Sequence, residues 1–375
     1  MRSSTMLTTS VLPSPKVTII EVIYPPDRGT VGLRGSHSPL SWEVTAPPTS
    51  RFEDRHVFEL ELPPGEIVEL RVVRNEEEFD GHRTYAVHAG DHLLLEPYFG
   101  ESAARLEPRR SLEAGGETWL FDVLLPPSYA EQPTKRYPVV YVMDGQALWS
   151  TSEDPYGVWQ LDTTLATLYD LEALEEILVV GLHTSQDRVN RLSPVPDLAH
   201  GGGGGPKTLA ALVGTLCPHI EATYRAKKGR NDRAIMGSSM GGLFAFYAAW
   251  TRPDVFGKAA CLSSSFWWSN RWAIRWAQQK PVSRSRPVLY LDSGAAIDPT
   301  DFDAHVRDGF HHTRSMFRAL VTHGYEAGKN LHRLVFTGAR HEAAAWAARV
   351  AIPLQLLFPR EARLPVPPAP PSAPG

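Results

Sequence analysis

A serine flanked by glycines is the segment of this sequence most typical of covalent catalysis. Residues 237–241, GSSMG, fit the pattern G-x-S-x-G, with the strand-like DRAIM before them and the helical GLFAFYAAW after them. Glycines at 237 and 241 permit the close approach that a tight strand-to-helix turn requires. The N-terminus of the following helix also directs free N–H groups toward a developing anion. The pattern predicts Ser239 as a nucleophile.

A histidine follows the last strand-like segment at the position expected of a general base. His341 lies in TGARHE, between HRLVF and the helical AAAWAARVAIPLQLLF. His311 and His312 fall inside a predicted helix, from which they would have to reach across the edge of the sheet. The order of nucleophile, acid and base along the chain then favours His341 as the base.

The acid that would orient the histidine has several candidates after the strand-like RPVLYLDSG, namely Asp292, Asp298, Asp301 and Asp303. The family that this chain resembles, named below, places the acid in the loop after the glycine, so we expect Asp298 to be the acid. Asp292, at the end of the strand, is the alternative, although a carboxylate there can equally bond to backbone amides.

The elements that must position these residues are typical of an α/β domain over residues 101–360. Apolar strand-like segments alternate with helical ones, as a parallel sheet covered on both faces requires. Residues 16–100 are instead rich in β-forming residues separated by turn signals, which predicts a β-sandwich of roughly immunoglobulin size.

Three segments show composition typical of irregular structure. We expect residues 1–15 to be a flexible N-terminus and the Pro-rich residues 361–375 to be a disordered tail. The glycine run at residues 201–205 predicts a mobile loop, because ordering glycine costs the most backbone entropy.

Composition excludes several classes of function. The chain has 375 residues, 42% of them hydrophobic, and a formal net charge of −4, with no basic stripe suited to nucleic acid. Cys217 and Cys261 are too few for a disulfide framework and are not spaced as metal ligands or a redox pair. No signal peptide or membrane-spanning stretch is evident, so we expect a cytoplasmic protein that needs neither metal nor organic cofactor.

Six segments together resemble the esterase family of esterase D, enterobactin-type siderophore esterases, feruloyl esterases and antigen 85 mycolyltransferases. They are residues 125–129 (LPPSY), 137–146 (YPVVYVMDGQ), 237–242 (GSSMGG), Pro253 with Phe256, 263–268 (SSSFWW) and 338–346 (GARHEAAAW). The resemblance covers about residues 105 to 358. It implies an α/β-hydrolase fold with a mainly parallel sheet and hydrolysis of carboxylic esters. It also implies an oxyanion hole formed by the backbone N–H groups of Gln146 and Met240.

The resemblance also suggests where a small ester substrate would bind. Arg188 lies in RVNRLSP, similar to a family loop R-x-x-D-L-T-P in which Arg191 replaces the usual acid. Arg188 either anchors this loop or binds an acidic acyl group, and we favour anchoring. Trp159, Trp267 and Trp268 are candidate pocket walls, with packing in the core as the alternative.

Four N-terminal segments, 33–35 (LRG), 39–42 (PLSW), 72–75 (VVRN) and 97–99 (PYF), resemble immunoglobulin-like modules related to starch- and glycogen-binding domains. Trp42 could stack on a sugar ring, but a core tryptophan explains it more simply, so carbohydrate binding is the less favoured expectation. An acyltransferase using the same residues, and a non-catalytic glycan-binding protein, are the alternatives to an esterase. The sequence does not specify the oligomeric state.

Overall fold

The computed structural model describes residues 17–62, 64–81, 84–100, 104–184, 187–279 and 285–360. The predictions of a flexible segment at 1–15 and a disordered tail at 361–375 lie outside these ranges. The described residues divide into two compact units, the first comprising 17–100 with Ala130–Pro133 and the second 104–129 with 134–360.

The first unit consists of two small β-sheets. Its strands are β1 (Val17–Ile23), β2 (Val31–Gly35), β3 (Ser50–Phe52), β4 (Arg55–Glu61), β5 (Val68–Arg74), β6 (Glu78–Phe79), β7 (Tyr85–Val87) and β8 (His92–Leu95). One sheet has the order β3-β4-β1-β8 and the other β2-β5-β6, with β7 also paired to β5. Alternate residues such as Ile20 and Phe58 of the first sheet share a buried core with Leu70 of the second. The unit is therefore a β-sandwich.

The second unit contains ten strands. They are β9 (Arg105–Ala114), β10 (Glu117–Leu125), β11 (Val139–Met143), β12 (Leu178–Leu182), β13 (Pro196–Asp197), β14 (Gly201–Gly202), β15 (Arg233–Ser238), β16 (Lys258–Leu262), β17 (Val288–Ala295) and β18 (Leu331–Thr337).

Ten helices accompany these strands in the described ranges. They are α1 (Leu161–Asp170), α2 (Arg188–Leu192), α3 (Gly205–Ala211), α4 (Cys217–Thr223), α5 (Met240–Thr251), α6 (Trp268–Gln279), α7 (Ala304–Arg307), α8 (Phe310–Thr322), α9 (Ala343–Ala347) and α10 (Ala351–Leu357). No helix among the described residues combines the length and the apolar character needed to cross a bilayer.

Eight of these strands form one sheet in the order β18-β17-β16-β15-β11-β12-β10-β9. The six strands from β18 to β12 are mutually parallel, and the β9–β10 hairpin adds an antiparallel edge. The carboxyl ends of parallel strands meet at one edge, where the loops that follow them can assemble a site. The predicted α/β domain with a mainly parallel sheet, preceded by a smaller β-rich domain, is confirmed.

Strand β11 shows why this sheet must be covered on both faces. All five of its residues are buried; Tyr141 and Met143 join the core on one face, while Val140 and Val142 join the core on the other. Residues of α5 contribute to the first core and those of α1 to the second. Continuous apolar strands of this kind are typical of a parallel sheet with helices on both sides.

The glycine run is ordered, contrary to the mobile loop expected from its composition. Gly201–Gly202 forms β14 and pairs with Pro196–Asp197, and Gly205 begins α3. The conformations explain the glycines, because Gly201 and Gly202 have φ of 70° and 86°. Close packing adds a second reason, since a Cβ on Gly202 would lie 2.3 Å from Ser193 Oγ.

Candidate active site

Ser239 sits on a sharp turn between β15 and α5. Its φ of 55° and ψ of −118° are unusual for a residue with a side chain. A Cβ on Gly237 would lie 2.5 Å from the carbonyl carbon of Gly241, and one on Gly242 would lie 2.3 Å from Ser264 Oγ. The glycines are thus required by backbone packing, and the turn holds Ser239 at the carboxyl edge of the sheet.

His341 lies beside this serine. Its Nε2 is 3.0 Å from Ser239 Oγ, and the loop between β18 and α9 carries it there. The backbone N–H of His341 donates to the carbonyl of His305. The Trp346 ring is perpendicular to the imidazole, with 5.1 Å between the ring centroids. The imidazole is therefore held from two sides with one nitrogen facing the hydroxyl.

The acid partner of His341 is Asp308, a residue that sequence reasoning missed. Asp308 Oδ1 lies 2.5 Å from His341 Nδ1, and its side chain is fully buried. An ionised carboxylate only accepts, so Nδ1 carries the proton and Nε2 is left to accept from the Ser239 hydroxyl. Ser239, His341 and Asp308 thus form one continuous chain of hydrogen bonds.

The prediction that Asp298 is the acid is therefore wrong. Its exposed carboxylate accepts instead from the backbone N–H and the hydroxyl of Thr300. Asp303 caps α7, and Asp301 accepts from the N–H of Asp303. The chain leaves β17, runs through this loop and α7, and only then returns to the sheet at Asp308.

Asp308 is fixed to the sheet by its second oxygen. Oδ2 accepts hydrogen bonds from the Gly294 N–H and the Ser263 hydroxyl, each at 2.5 Å. The only sequence signal for this residue is an Asp-Gly pair directly before the amphipathic α8, in which Asp308 and Gly309 both have positive φ. That pair marks a turn, but it does not reveal that the turn folds back onto β17.

The alternative acid, Asp292, is also buried but does not contact His341. It accepts from Arg349 Nε and Nη2, both at 3.1 Å, and from the Ser263 N–H and the Tyr290 hydroxyl, both at 3.0 Å. Burial raises the pKa of the Asp292 carboxyl, and the charge of Arg349 acts in the opposite direction. Arg349 ties Asp292 to the neighbourhood of Asp308, at 3.4 Å from Oδ2.

The two expected oxyanion donors lie at the start of helical turns. Met240 is the first residue of α5. The first backbone hydrogen bond of this helix runs from the Leu243 N–H to the Ser239 carbonyl, so the Met240 N–H is not used within the helix. Gln146 lies in a single 3-10 turn after β11. The first backbone hydrogen bond of that turn runs from the Ala147 N–H to the Asp144 carbonyl, so the Gln146 N–H comes before it. Because β11 and β15 are parallel neighbours, both turns lie at the same edge of the sheet.

Arg188 supports the turn that carries Gln146. Its Nε and Nη2 donate to the two oxygens of Asp144, each at 2.7 Å, and the Thr184 hydroxyl donates to the same carboxylate. Asp144 itself has a φ of 63°, a left-handed conformation that Asp tolerates better than most residues. The geometry matches the anchoring role expected of Arg188.

A second buried carboxylate, Asp122, bonds to Trp149, two residues after this turn. Asp122 of β10 accepts from Trp149 Nε1 at 2.6 Å, faces His183 Nε2 at 2.8 Å, and accepts from the Arg109 N–H at 2.7 Å. Desolvation alone would raise the pKa of Asp122, but these hydrogen bonds lower it below its usual value. Sequence reasoning missed Asp122, because nothing in a β-strand sequence marks a buried acid as part of a network.

The three tryptophans have different environments. Trp159 is only 2% exposed and packs near Trp346 in the core, so it does not line an open pocket. Trp268 is equally buried and donates to the carbonyl of Val195. Trp267 is 40% exposed and lies two residues after Ser265, whose Oγ is 3.3 Å from Ser239 Oγ. Trp267 is thus the one of the three whose ring is open to solvent.

No group of three or more His, Cys, Asp or Glu side chains in the described part of the chain is arranged to hold a metal ion. Cys217 and Cys261 are both buried and unpaired.

Known proteins resemble this chain in sequence. A siderophore enterobactin esterase of Emericella nidulans is 34% identical over 108 residues, which make up 28% of this chain and 35% of that protein. A siderophore triacetylfusarinine C esterase of Aspergillus fumigatus is 27% identical over 188 residues, 48% of this chain and 64% of that protein. The chain thus spans less than two thirds of the length of these relatives.

The fold has a counterpart among solved structures. The enterobactin esterase of Shigella flexneri, determined in the presence of enterobactin, matches with a TM-score of 0.52 at 14% identity, covering 89% of this chain and 91% of that one. At this identity the likeness shows the α/β-hydrolase fold alone. The model of the family described as "Putative esterase" matches residues 114–350, more than half of the sequence. The chain belongs to this esterase family.

Proposed function

We propose that the protein is a serine esterase that hydrolyses carboxylic esters through an acyl-enzyme intermediate. The observation that carries the proposal is the hydrogen-bonded chain from Ser239 through His341 to Asp308, with distances of 3.0 and 2.5 Å. Membership of the esterase family supports the same chemistry.

In the first half of the reaction, Ser239 Oγ attacks the ester carbonyl carbon and transfers its proton to His341 Nε2. The carbonyl oxygen becomes an oxyanion that accepts from the Met240 and Gln146 N–H groups. Asp308 stabilises the imidazolium ion. His341 then returns the proton to the departing alcohol as the carbon–oxygen bond breaks, which leaves the acyl group on Ser239.

In the second half, water replaces the alcohol. His341 accepts a proton from the water as its oxygen attacks the acyl carbon, and then returns that proton to Ser239 Oγ as the acid leaves. Transfer of the acyl group to a second alcohol follows the same steps, so acyl transfer is the alternative function. Product analysis with and without added alcohol distinguishes them, since a transferase yields the new ester in preference to the free acid.

The substrate class is part of the proposal. The names of the two relatives make siderophore esters the first class to test, and feruloyl esters the second because of the family resemblance. The exposed Trp267, two residues after Ser265, whose Oγ lies 3.3 Å from Ser239 Oγ, supports an acid or alcohol group with an apolar or aromatic face.

The experiment is hydrolysis of p-nitrophenyl acetate by the full chain and by Ser239→Ala. We expect the variant to lose at least about 10³-fold in kcat while its thermal midpoint is unchanged. A fluorophosphonate should label the wild type at Ser239, and Ser315→Ala on α8 should behave as wild type. An inactive wild type, or a Ser239→Ala variant that retains activity, would refute the proposal.

A further inference from the structure

Three charged side chains are buried together behind His341. Asp292 and Asp308 are fully buried and Arg349 nearly so. Burying two carboxylates and one guanidinium is costly unless each is paired and hydrogen bonded. The reaction described above requires only one of these carboxylates, so the second carboxylate and the arginine need an explanation.

Ser263 connects the three charges. Its hydroxyl donates to Asp308 Oδ2 and accepts from Arg349 Nη2, both at 2.5 Å, and from Trp346 Nε1 at 3.0 Å. One proton and two lone pairs are all that a hydroxyl offers, so its bonding capacity is fully used. Ser263 has a φ of 43°, and its N–H donates to Asp292. A movement of any of these groups would therefore be felt at Asp308.

The distances divide the charge of Arg349 unequally between the carboxylates. Nε and Nη2 each lie 3.1 Å from an oxygen of Asp292, but Nη2 is 3.4 Å from Asp308 Oδ2. Asp292 thus takes the two-pronged contact typical of an arginine–carboxylate pair. Asp308 receives neutral hydrogen bonds from Ser263 and Gly294, and its negative charge remains available to His341.

The charge sum of the cluster changes in the direction that the reaction needs. With a neutral imidazole, Asp292, Asp308 and Arg349 together carry −1. When His341 becomes an imidazolium ion, the four groups sum to zero. Without Asp292 the sum would rise from zero to +1 in a buried site, where an uncompensated charge is unfavourable.

We propose that Asp292 and Arg349 form a positioning ion pair that holds Asp308 through Ser263 and leaves its full charge to stabilise the imidazolium ion of His341. This inference rests on the proposed esterase function. Asp292 is then not a spare acid but the residue that neutralises Arg349. A merely structural pair would affect stability, whereas this pair also affects the pH at which His341 becomes active.

Other groups face His341 and must be separated from this effect. The ring of His305, an exposed residue, lies 6.1 Å from that of His341, and Arg340 and Glu342 flank it in the chain. His341 also contacts Trp346 and Ser239, whose side chains carry no charge. Because the imidazole of His305 faces that of His341, His305→Gln is the matched control.

The test is the acid limb of the pH profile of kcat/KM for p-nitrophenyl acetate. In Asp292→Asn we expect the midpoint of this limb to fall by about one pH unit, the size of effect that a nearby buried charge exerts at an effective dielectric of about 20. The sign follows because loss of a negative charge disfavours the imidazolium ion. His305→Gln should leave the midpoint in place.

A charge-neutral double variant provides the decisive comparison. Asp292→Asn combined with Arg349→Gln removes both charges, so the midpoint should return to within about 0.3 units of the wild-type value. If Asp292→Asn folds poorly, Tyr290→Phe, which removes one hydrogen bond from Asp292, should shift the midpoint in the same direction by less. The proton NMR signal of the His341–Asp308 hydrogen bond should move with the midpoint.

The outcomes separate this inference from the proposed function. An active wild type whose limb is unmoved by both Asp292→Asn and Tyr290→Phe would overturn the inference and leave the esterase function intact. A limb that moves only with His305→Gln would overturn it as well. A wild type without esterase activity would overturn the proposed function itself.

Discussion

Arg188 donates hydrogen bonds to both carboxylate oxygens of Asp144, each at 2.7 Å, and Asp144 begins the turn that carries the Gln146 N–H. We expect Arg188→Lys to lower kcat about tenfold with little change in KM, because a lysine cannot make the two-pronged contact and the oxyanion donor would shift. Steady-state kinetics on neutral and acidic esters checks this. If Arg188 instead bound an acidic acyl group, KM would rise for acidic esters alone.

The second prediction concerns the acid. Asp308→Asn should lower kcat by about 10²- to 10⁴-fold, because the amide cannot hold the imidazole tautomer or stabilise its cation. The matched control is Asp298→Asn, which should keep wild-type kcat since its carboxylate bonds only locally to Thr300. Kinetics and thermal midpoints of both variants decide it. An inactive, folded Asp298→Asn beside an active Asp308→Asn would reverse the assignment.

Asp122 links stability to pH. Its pKa is lowered in the folded protein, so the carboxylate contributes stability that is present above its unfolded pKa, about 3.9, and lost as the pH falls through the lower folded pKa. Asp122→Asn should therefore cost about 1–3 kcal/mol of unfolding free energy at pH 7. The gap from wild type should narrow below about pH 4, as urea titrations at several pH values would reveal. A gap that is constant with pH would contradict this.

The tryptophans should separate into packing and binding roles. Trp159→Ala should lower the unfolding free energy by about 3–5 kcal/mol, because it empties a fully packed core position. Trp267→Ala should leave stability nearly unchanged but raise KM roughly tenfold for esters with bulky aromatic groups, and not for small aliphatic esters. Equal losses on all esters would show that Trp267 does not contact the substrate.

Local sequence predicted those parts of the molecule that local sequence specifies. Strands β11, β15 and β17 overlap the apolar segments YPVVYVMDGQ, DRAIM and RPVLYLDSG identified in the sequence, because a buried parallel strand is largely apolar. The hairpin of β9 and β10 was not predicted. Strand β9, RLEPRRSLEA, is an exposed edge strand and lacks the apolar pattern on which the prediction depended.

The site shows the same division. Ser239 is specified by its turn, and His341 by its place after the last strand of the sheet. The role of Asp308 depends on tertiary structure, because the chain leaves the sheet after Gly294 and returns to it only fourteen residues later. Asp292 and Arg349 are 57 residues apart and meet only in the fold. The prediction of a mobile loop at the glycine run was wrong because strand pairing and close packing order this segment, and composition does not reveal either contact.

The hydrogen bond between Asp308 and Gly294 has a consequence for how this protein can diversify. The two residues are fourteen positions apart in the chain, and their hydrogen bond anchors the segment between them at both ends. That segment exposes Ile297 and Phe302 to solvent. Insertions, deletions or randomisation of residues 297–302, before α7 and the His305 carbonyl that holds His341, can alter this surface while the reacting groups stay in place, because loop length changes cost little free energy. The segment is therefore the natural target for evolving new selectivity.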